Sequence, residues 1–276
     1  MVAGGQLVIE TTSWESEWRL WPLGDIHWGA AGCDEECVAA TVGKIKRSSL
    51  SRWIGMGDYI DLISMRDERR FDPEMVAGKH RAAYFKAYGP QMRDFAISQF
   101  EPIAGKCIGM LQGNHEWYYS NRFEHALAQN IAEALGAPFL GYSCFRDVVF
   151  VHTETGERQR FRIYAHHGAG YAQTKGGKLN RLERFMVAFE ADIYIIGHIH
   201  ERLDDEIVIL KANDDCTDIV DDTRVGVVSG TFLRTYTARS DGASGYGERK
   251  GYRPTPLGCP CIKIVPATRR LSIEKP

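Results

Sequence analysis

The chain has 276 residues, 44% hydrophobic and 25% charged, a balance that excludes disordered and fibrous classes and suits a globular fold. A formal net charge of -2 and a pI near 6.5 exclude a global basic field for a polyanionic partner and leave only a local basic groove. No apolar run reaches membrane-spanning length, and the N-terminus lacks the basic start and apolar core of a secretory leader. The seven cysteines are odd in number and scattered, which suits reduced thiols in a cytoplasmic protein with no membrane association. The pairs Cys33–Cys37 and Cys259–Cys261 match no common zinc spacing and read as small buried hydrophobes.

In chain order, the runs QLVIETT, WRLWPLG, SRWIGMG, KCIGMLQG, DVVFVHT, RFRIYAHHG, ADIYIIGH, EIVIL, RVGVVSG and CIKIVP predict strands, being short, apolar and rich in Val, Ile, Tyr and Trp. Helical periodicity runs through DEECVAATVGKIKRS, PEMVAGKHRAAYFKAYGPQMRDFAISQF, RFEHALAQNIAEALG and KLNRLERFMVAFE, and the second of these is expected to break near Gly89-Pro90. TETGER, between two strand-like runs, predicts a hairpin turn. Strands alternate with helices to about residue 200 and dominate afterwards, which predicts an α/β core whose later portion adds a second, more antiparallel sheet. No repeat, low-complexity tract or linker interrupts the chain, so a single domain over 1–276 is expected.

Several apolar runs end in the same kind of residue: Asp25 and His27, Asp58 and Asp61, Asn114 and His115, His166 and His167, His198 and His200. Period-two alternation lets Asp25 and His27, or His198 and His200, point the same way, and the preceding Gly24, Gly57, Gly113 and Gly197 are expected to turn the backbone sharply. In open α/β sheets, the carboxyl ends of strands are where ligands bind. Carboxylate oxygens with imidazoles and no thiolate suit Mn, Fe, Zn, Co or Ni. The donors are too numerous for one ion and fit two ions sharing a carboxylate.

The ordered set GDIH, GDYID, GNHE, HHG and GHIH, over residues 24–200, resembles the calcineurin-like metallophosphoesterases. The resemblance implies an α/β fold, a four-layer α/β/β/α sandwich of two mixed β-sheets flanked by helices. It implies two divalent metal ions, manganese first among them: Asp25, His27 and His200 hold one, Asp58 bridges, and Asn114, His198 and His167 hold the other. His167 is preferred to His166 because the family's ligand directly precedes glycine. His115 would be the general acid, oriented by Asp61, while Glu116 braces the loop. The implied reaction is hydrolysis of a phosphoester by a metal-bridging hydroxide.

Substrate is less specified. Protein Ser/Thr phosphatases of this superfamily carry arginines where Leu62 and Gln112 stand here, which disfavours a protein substrate and favours a phosphodiester in DNA, RNA or a nucleotide. A phosphomonoesterase and a non-catalytic protein-binding scaffold are the alternatives. Residues 229–258, long for a connection, form a candidate specificity loop, with Arg249 and Lys250 as candidate phosphate contacts. Arg66, Arg69, Arg70 and Arg253 could line the same groove, and Tyr118, beside Trp117 and Tyr119, could stack on a base.

Overall fold

A computed structural model of the chain describes residues 1–62, 76–80, 88–123, 126–236 and 246–274, apart from the side chains of 122, 123, 246 and 249. Arg66, Arg69, Arg70 and the Arg249 side chain therefore lie outside the described residues, as do residues 237–245 of the candidate specificity loop. The strands are β1 (Val2–Thr11), β2 (Trp18–Leu23), β3 (Ser51–Gly55), β4 (Cys107–Met110), β5 (Ser143–His152), β6 (Arg158–His166), β7 (Ile193–Ile196), β8 (Arg202–Ala212), β9 (Ile219–Ser229), β10 (Cys261–Val265) and β11 (Arg270–Glu274). The main helices are α1 (Glu35–Arg47), α2 (Tyr88–Phe100), α3 (Asn114–Phe123), α4 (Leu127–Ala134) and α5 (Lys175–Ala188).

Two sheets form, in the orders β1-β5-β6-β7-β9-β8 and β11-β10-β2-β3-β4. Both are mixed: β2, β3 and β4 run parallel while β10 and β11 run antiparallel to their neighbours, and β6, β7 and β9 are parallel beside the antiparallel β5 and β8. Side-chain alternation assigns each strand residue to a layer. Trp21 and Trp53 face α1, α2 and α4, whereas Leu20 and Ile54 face the opposing sheet. Ile193 and Ile195 join them between the sheets, while Tyr194 and Ile196 pack outward with Leu182 and Met186 of α5. Three apolar layers thus separate helices, sheet, sheet and helix, which is the four-layer sandwich expected from the sequence.

Two local expectations are revised. The later strands build no sheet of their own: β8 and β9 extend the first sheet and β10 and β11 extend the second. The break expected near Gly89-Pro90 borders residues 81–87, which lie outside the described residues; Gly89 and Pro90 themselves belong to α2. Residues 116–121, which lie outside every run read as helical, belong to α3, whose Tyr119 packs against the core while Trp117 stays half exposed.

Helix termini are set by side chains. The Asp34 carboxylate accepts from the Cys37 N–H at 3.0 Å to start α1, and the Thr174 hydroxyl accepts from Gly177 N–H at 3.1 Å to start α5. No helix among the described residues is long and apolar enough to cross a membrane.

Trp53 joins sheet to helix. It is fully buried, stacks on Phe100 with centroids 4.8 Å apart, and its indole N–H donates to the Ile103 carbonyl at 2.8 Å. Trp53→Ala should therefore cost ~3–5 kcal/mol of stability in urea unfolding; a loss below about 1 kcal/mol would mean that this layer does not depend on it.

Candidate metal centre

The strands β2, β3 and β4 end side by side in one sheet, and β6 and β7 end side by side in the other. The polar residues follow these ends rather than continuing them: β2 stops at Leu23 and β7 at Ile196. Period-two alternation therefore does not aim Asp25, His27, His198 or His200. Their direction comes from backbone in the left-handed region, with φ of 48° at Asp25, 56° at His27, 51° at Asp58, 69° at His198 and 44° at His200. Such conformations cost roughly 1–2 kcal/mol per non-glycine residue and persist only where the surroundings over-determine them. Here they do. Asp25 N–H donates to Gly57 O at 2.9 Å, His27 N–H to Asp58 O at 3.1 Å, and His198 N–H to Asp25 Oδ2 at 2.8 Å.

The sharp turns are thus made mostly by the polar residues themselves. Of Gly24, Gly57, Gly113 and Gly197 only Gly57 takes positive φ, at 88°, and the glycines also serve close approach. A Cβ on Gly113 would lie 2.1 Å from the Asp58 nitrogen, and one on Gly57 would lie 2.3 Å from the Gly113 nitrogen. No side chain fits between these two turns.

Glu116 clamps them together. Fully buried, its carboxylate accepts from the N–H groups of Asp58 at 2.9 Å, Tyr59 at 2.7 Å, Ile60 at 3.2 Å and Gly113 at 3.0 Å. Burial and the nearby Asp58 carboxylate push its pKa up to about 7, against the pull of the Ile60 N–H. This is the brace expected of Glu116.

Two groups of donor atoms result, sharing Asp58. In the first, His200 Nε2 lies 3.2 Å from Asp25 Oδ1 and 3.1 Å from His27 Nε2, and His27 Nε2 lies 4.0 Å from Asp58 Oδ2. In the second, His167 Nε2 lies 3.4 Å from Asp58 Oδ2 and 3.1 Å from Asn114 Oδ1. The same amide position is 2.6 Å from His198 Nδ1 and 3.2 Å from Asp58 Oδ2. Asp25–His27–His200 and Asp58–His167–His198 can each hold an ion, and so can His27–Asp58–His115.

The donor set fits divalent cations on three further observations. Asn114 Oδ1 faces only acceptor atoms, an arrangement that a cation among them satisfies; turning the amide over would instead let its NH2 donate to them. Asp25 Oδ1 is buried without a hydrogen-bond donor. His167 donates from Nδ1 to the Met56 carbonyl at 2.7 Å, which leaves the Nε2 lone pair of the neutral ring aimed into the group. His166 points elsewhere, its Nδ1 accepting from the Gly168 N–H at 2.7 Å.

Charge is concentrated here. Burial would raise the pKa values of Asp25 and Asp58, but His200 beside Asp25 and His167 beside Asp58 hold both carboxyls below the usual range. Burial opposes protonation of His115 and His167, yet the Asp58 carboxylate, joined by Asp61 at His115 and by Asp25 and the Met56 carbonyl at His167, lifts each to about 9. A metal ion would displace such protons from its ligands.

His115 Nδ1 lies 3.2 Å from Asp61 Oδ1, and His27 Nδ1 lies 3.9 Å from the same oxygen. Asp61 thus faces both rings. Sequence reasoning missed that second contact, together with the support of Asp25: Ser229 Oγ lies 3.3 Å from Asp25 Oδ2, and the Thr231 hydroxyl and Phe232 N–H donate to its carbonyl at 2.9 and 3.0 Å. The start of segment 229–258 therefore braces the centre. Farther along, Arg253 binds the buried Glu201, next to His200, at 2.7 Å, and Lys178 binds the same oxygen at 3.1 Å. Tyr118 and Lys250 are exposed residues outside the buried cluster.

The chain is similar to a conserved uncharacterized protein, described as a predicted phosphoesterase, from Streptococcus pneumoniae TIGR4, with 13% identity over 90% of this chain and 83% of that one and a TM-score of 0.34. It is also similar to a metallophosphoesterase from Sphaerobacter thermophilus, with 12% identity over 93% and 87% of the respective chains and a TM-score of 0.41. Neither a protein-family profile nor a curated protein matches the sequence. The functional reading accordingly rests on the residues of the site.

Replacing the Glu116 carboxylate tests the clamp. Glu116→Gln turns an amide NH2 toward backbone donors, which should cost about 2 kcal/mol in unfolding of the chelator-treated protein. It should also weaken manganese binding roughly 10-fold or more in calorimetric titration. Unchanged affinity would show that the two turns hold their positions without it.

Proposed function

We propose that the chain is a dinuclear-metal phosphoester hydrolase of the calcineurin-like class, acting on a phosphodiester in nucleic acid or a nucleotide. The observation that carries this reading is the convergence of Asp25, His27, Asp58, Asn114, His167, His198 and His200 from five strand ends into two donor groups joined at Asp58. In this reading Asp25, His27 and His200 hold one ion, Asn114, His167 and His198 the other, and Asp58 both. Bound divalent ions, manganese first, supply Lewis acidity toward phosphoryl oxygens and activate the attacking water.

The chain's own groups do the rest. The carboxylates and imidazoles fix the direction of approach to phosphorus, because their backbone is locked in conformations no flexible loop would hold. Asp61, on His115 Nδ1, orients that ring and favours its protonated form, leaving Nε2 to give a proton to the departing oxygen. Hydrolysis breaks the phosphorus–leaving-oxygen bond as water oxygen bonds phosphorus. The leaving alcohol takes its proton from His115.

The diester preference is supported by what stands where protein phosphatases carry arginines. Leu62 is buried in the helix-facing core, and Gln112 is neutral. Fewer fixed cations for a terminal phosphate dianion favour a substrate with one negative charge per phosphorus. Arg249, Lys250 and Tyr118 are the proposed substrate contacts, with segment 229–258 governing specificity.

Two outcomes test this. His115→Ala should lower turnover of bis-p-nitrophenyl phosphate by ~100-fold or more while the protein retains its full complement of bound manganese; loss of an ion in that variant would make His115 a ligand instead. A faster rate on the monoester p-nitrophenyl phosphate would favour the phosphomonoesterase reading. With a nucleic-acid substrate, affinity should fall at least ~10-fold between 50 and 200 mM salt in fluorescence anisotropy, and a flat response would turn the search to small nucleotides.

A further inference from the structure

The β8–β9 hairpin, which plays no part in the proposed chemistry, has an unsupported half. β9 pairs with β7 only over Val225–Val228, yet β8 and β9 stay paired with each other as far as Ala212 and Ile219. The stretch beyond β7 is a two-stranded ribbon, a structure marginal in water unless something packs on it. It nevertheless carries exposed apolar side chains, beside Asp221 and Thr223. On one face stand Val208, Leu210 and Ile219, with 54%, 66% and 70% of their surface exposed. β8 is also the last strand of its sheet, so among the described residues no strand pairs with its outer edge.

We infer that this edge is the interface of a twofold dimer, in which β8 pairs antiparallel with β8 of a second copy and the two sheets become continuous. The strand's own sequence, RLDDEIVILKA, selects the partner. A twofold axis perpendicular to the sheet pairs residues of like parity, because side chains must stay on their own face. Among axes centred on residues Glu206 to Leu210, only one through Val208 sets Lys211 opposite an acidic residue of β8. In that register Asp205 faces the partner's Lys211, Ile207 faces the partner's Ile209, Glu206 faces the partner's Leu210, and Val208 meets its own copy, each off-axis pair occurring twice. An axis through Glu206 sets two glutamates against each other, and one through Ile207 sets Lys211 against Leu203. One through Ile209 sets Lys211 against Ile207, and one through Leu210 sets Lys211 against Ile209.

Asp205, within the acidic run Asp204–Glu206, therefore specifies the register. Lys211 already lies 3.4 Å from Asp222, but its side chain is 56% exposed and an ammonium has three donors, so a second carboxylate can be accommodated. Pairing also sets Val208 of one copy against Val208 of the other, so these two exposed side chains cover each other across the axis.

Charge exchange tests both the interface and its register. In sedimentation velocity the 276-residue chain should run at twice its 31.1 kDa mass at micromolar concentration. Asp205→Lys alone and Lys211→Glu alone each oppose like charges twice and should each weaken association at least ~10-fold. An equimolar mixture of the two variants opposes lysine to a carboxylate at both places and should recover the dimer as a heterodimer, which also shows that each variant is folded. A wild-type protein that stays monomeric to high concentration would overturn the proposal, as would variants that dimerise undiminished or a mixture that fails to associate. None of these results depends on whether the metal centre is hydrolytic.

Discussion

The buried Glu116 carboxylate accepts four N–H groups from two strand ends, so the turns after β3 and β4 cannot part without leaving a buried charge unsatisfied. Those turns carry Asp58, Asn114 and His115. Through the Asp58 carbonyl the same turn accepts from the N–H groups of Ile26 and His27, which places the polar residues following β2. Asp25 in turn accepts the His198 N–H, and that bond crosses to the other sheet. One chain of hydrogen bonds therefore runs from Glu116 to both sheets and ties together the ends of β2, β3, β4 and β7.

This rigidity has a cost that the fold meets elsewhere. Five of the proposed ligands hold left-handed backbone, where each non-glycine residue is strained. The strain persists because the turns rise from strands whose side chains fill three apolar layers, with Trp53, Ile54, Tyr194 and Ile195 almost wholly excluded from water. Strands so buried cannot shift register to relax their ends. The conformational cost and the directional precision of the donors share one origin.

Much of this was legible in the sequence. Ten of the strands announce themselves as short apolar runs, and the polar residues that end them identify the site. β11 escapes because RLSIE lies on an exposed edge, with charge at both ends and little apolar weight. The helical state of 116–121 is hidden because its start is a turn built from site residues. The mechanism of aiming is not legible either, since alternation suggests strand geometry whereas the residues use left-handed backbone beyond the strand. Nor do local patterns reveal partners distant in sequence. Ser229 and Thr231 reach Asp25 across more than 200 residues, and Arg253 reaches Glu201 across 52.

The central claim is that Asp58 joins two cation sites built from strand ends of both sheets. Anomalous diffraction from crystals of the manganese-loaded protein, collected at the manganese edge, tests it most directly. The account predicts two peaks roughly 3.5–4 Å apart, with the Asp58 carboxylate between them, Asp25, His27 and His200 around one, and Asn114, His167 and His198 around the other. A single peak, or manganese bound away from Asp58, would contradict it.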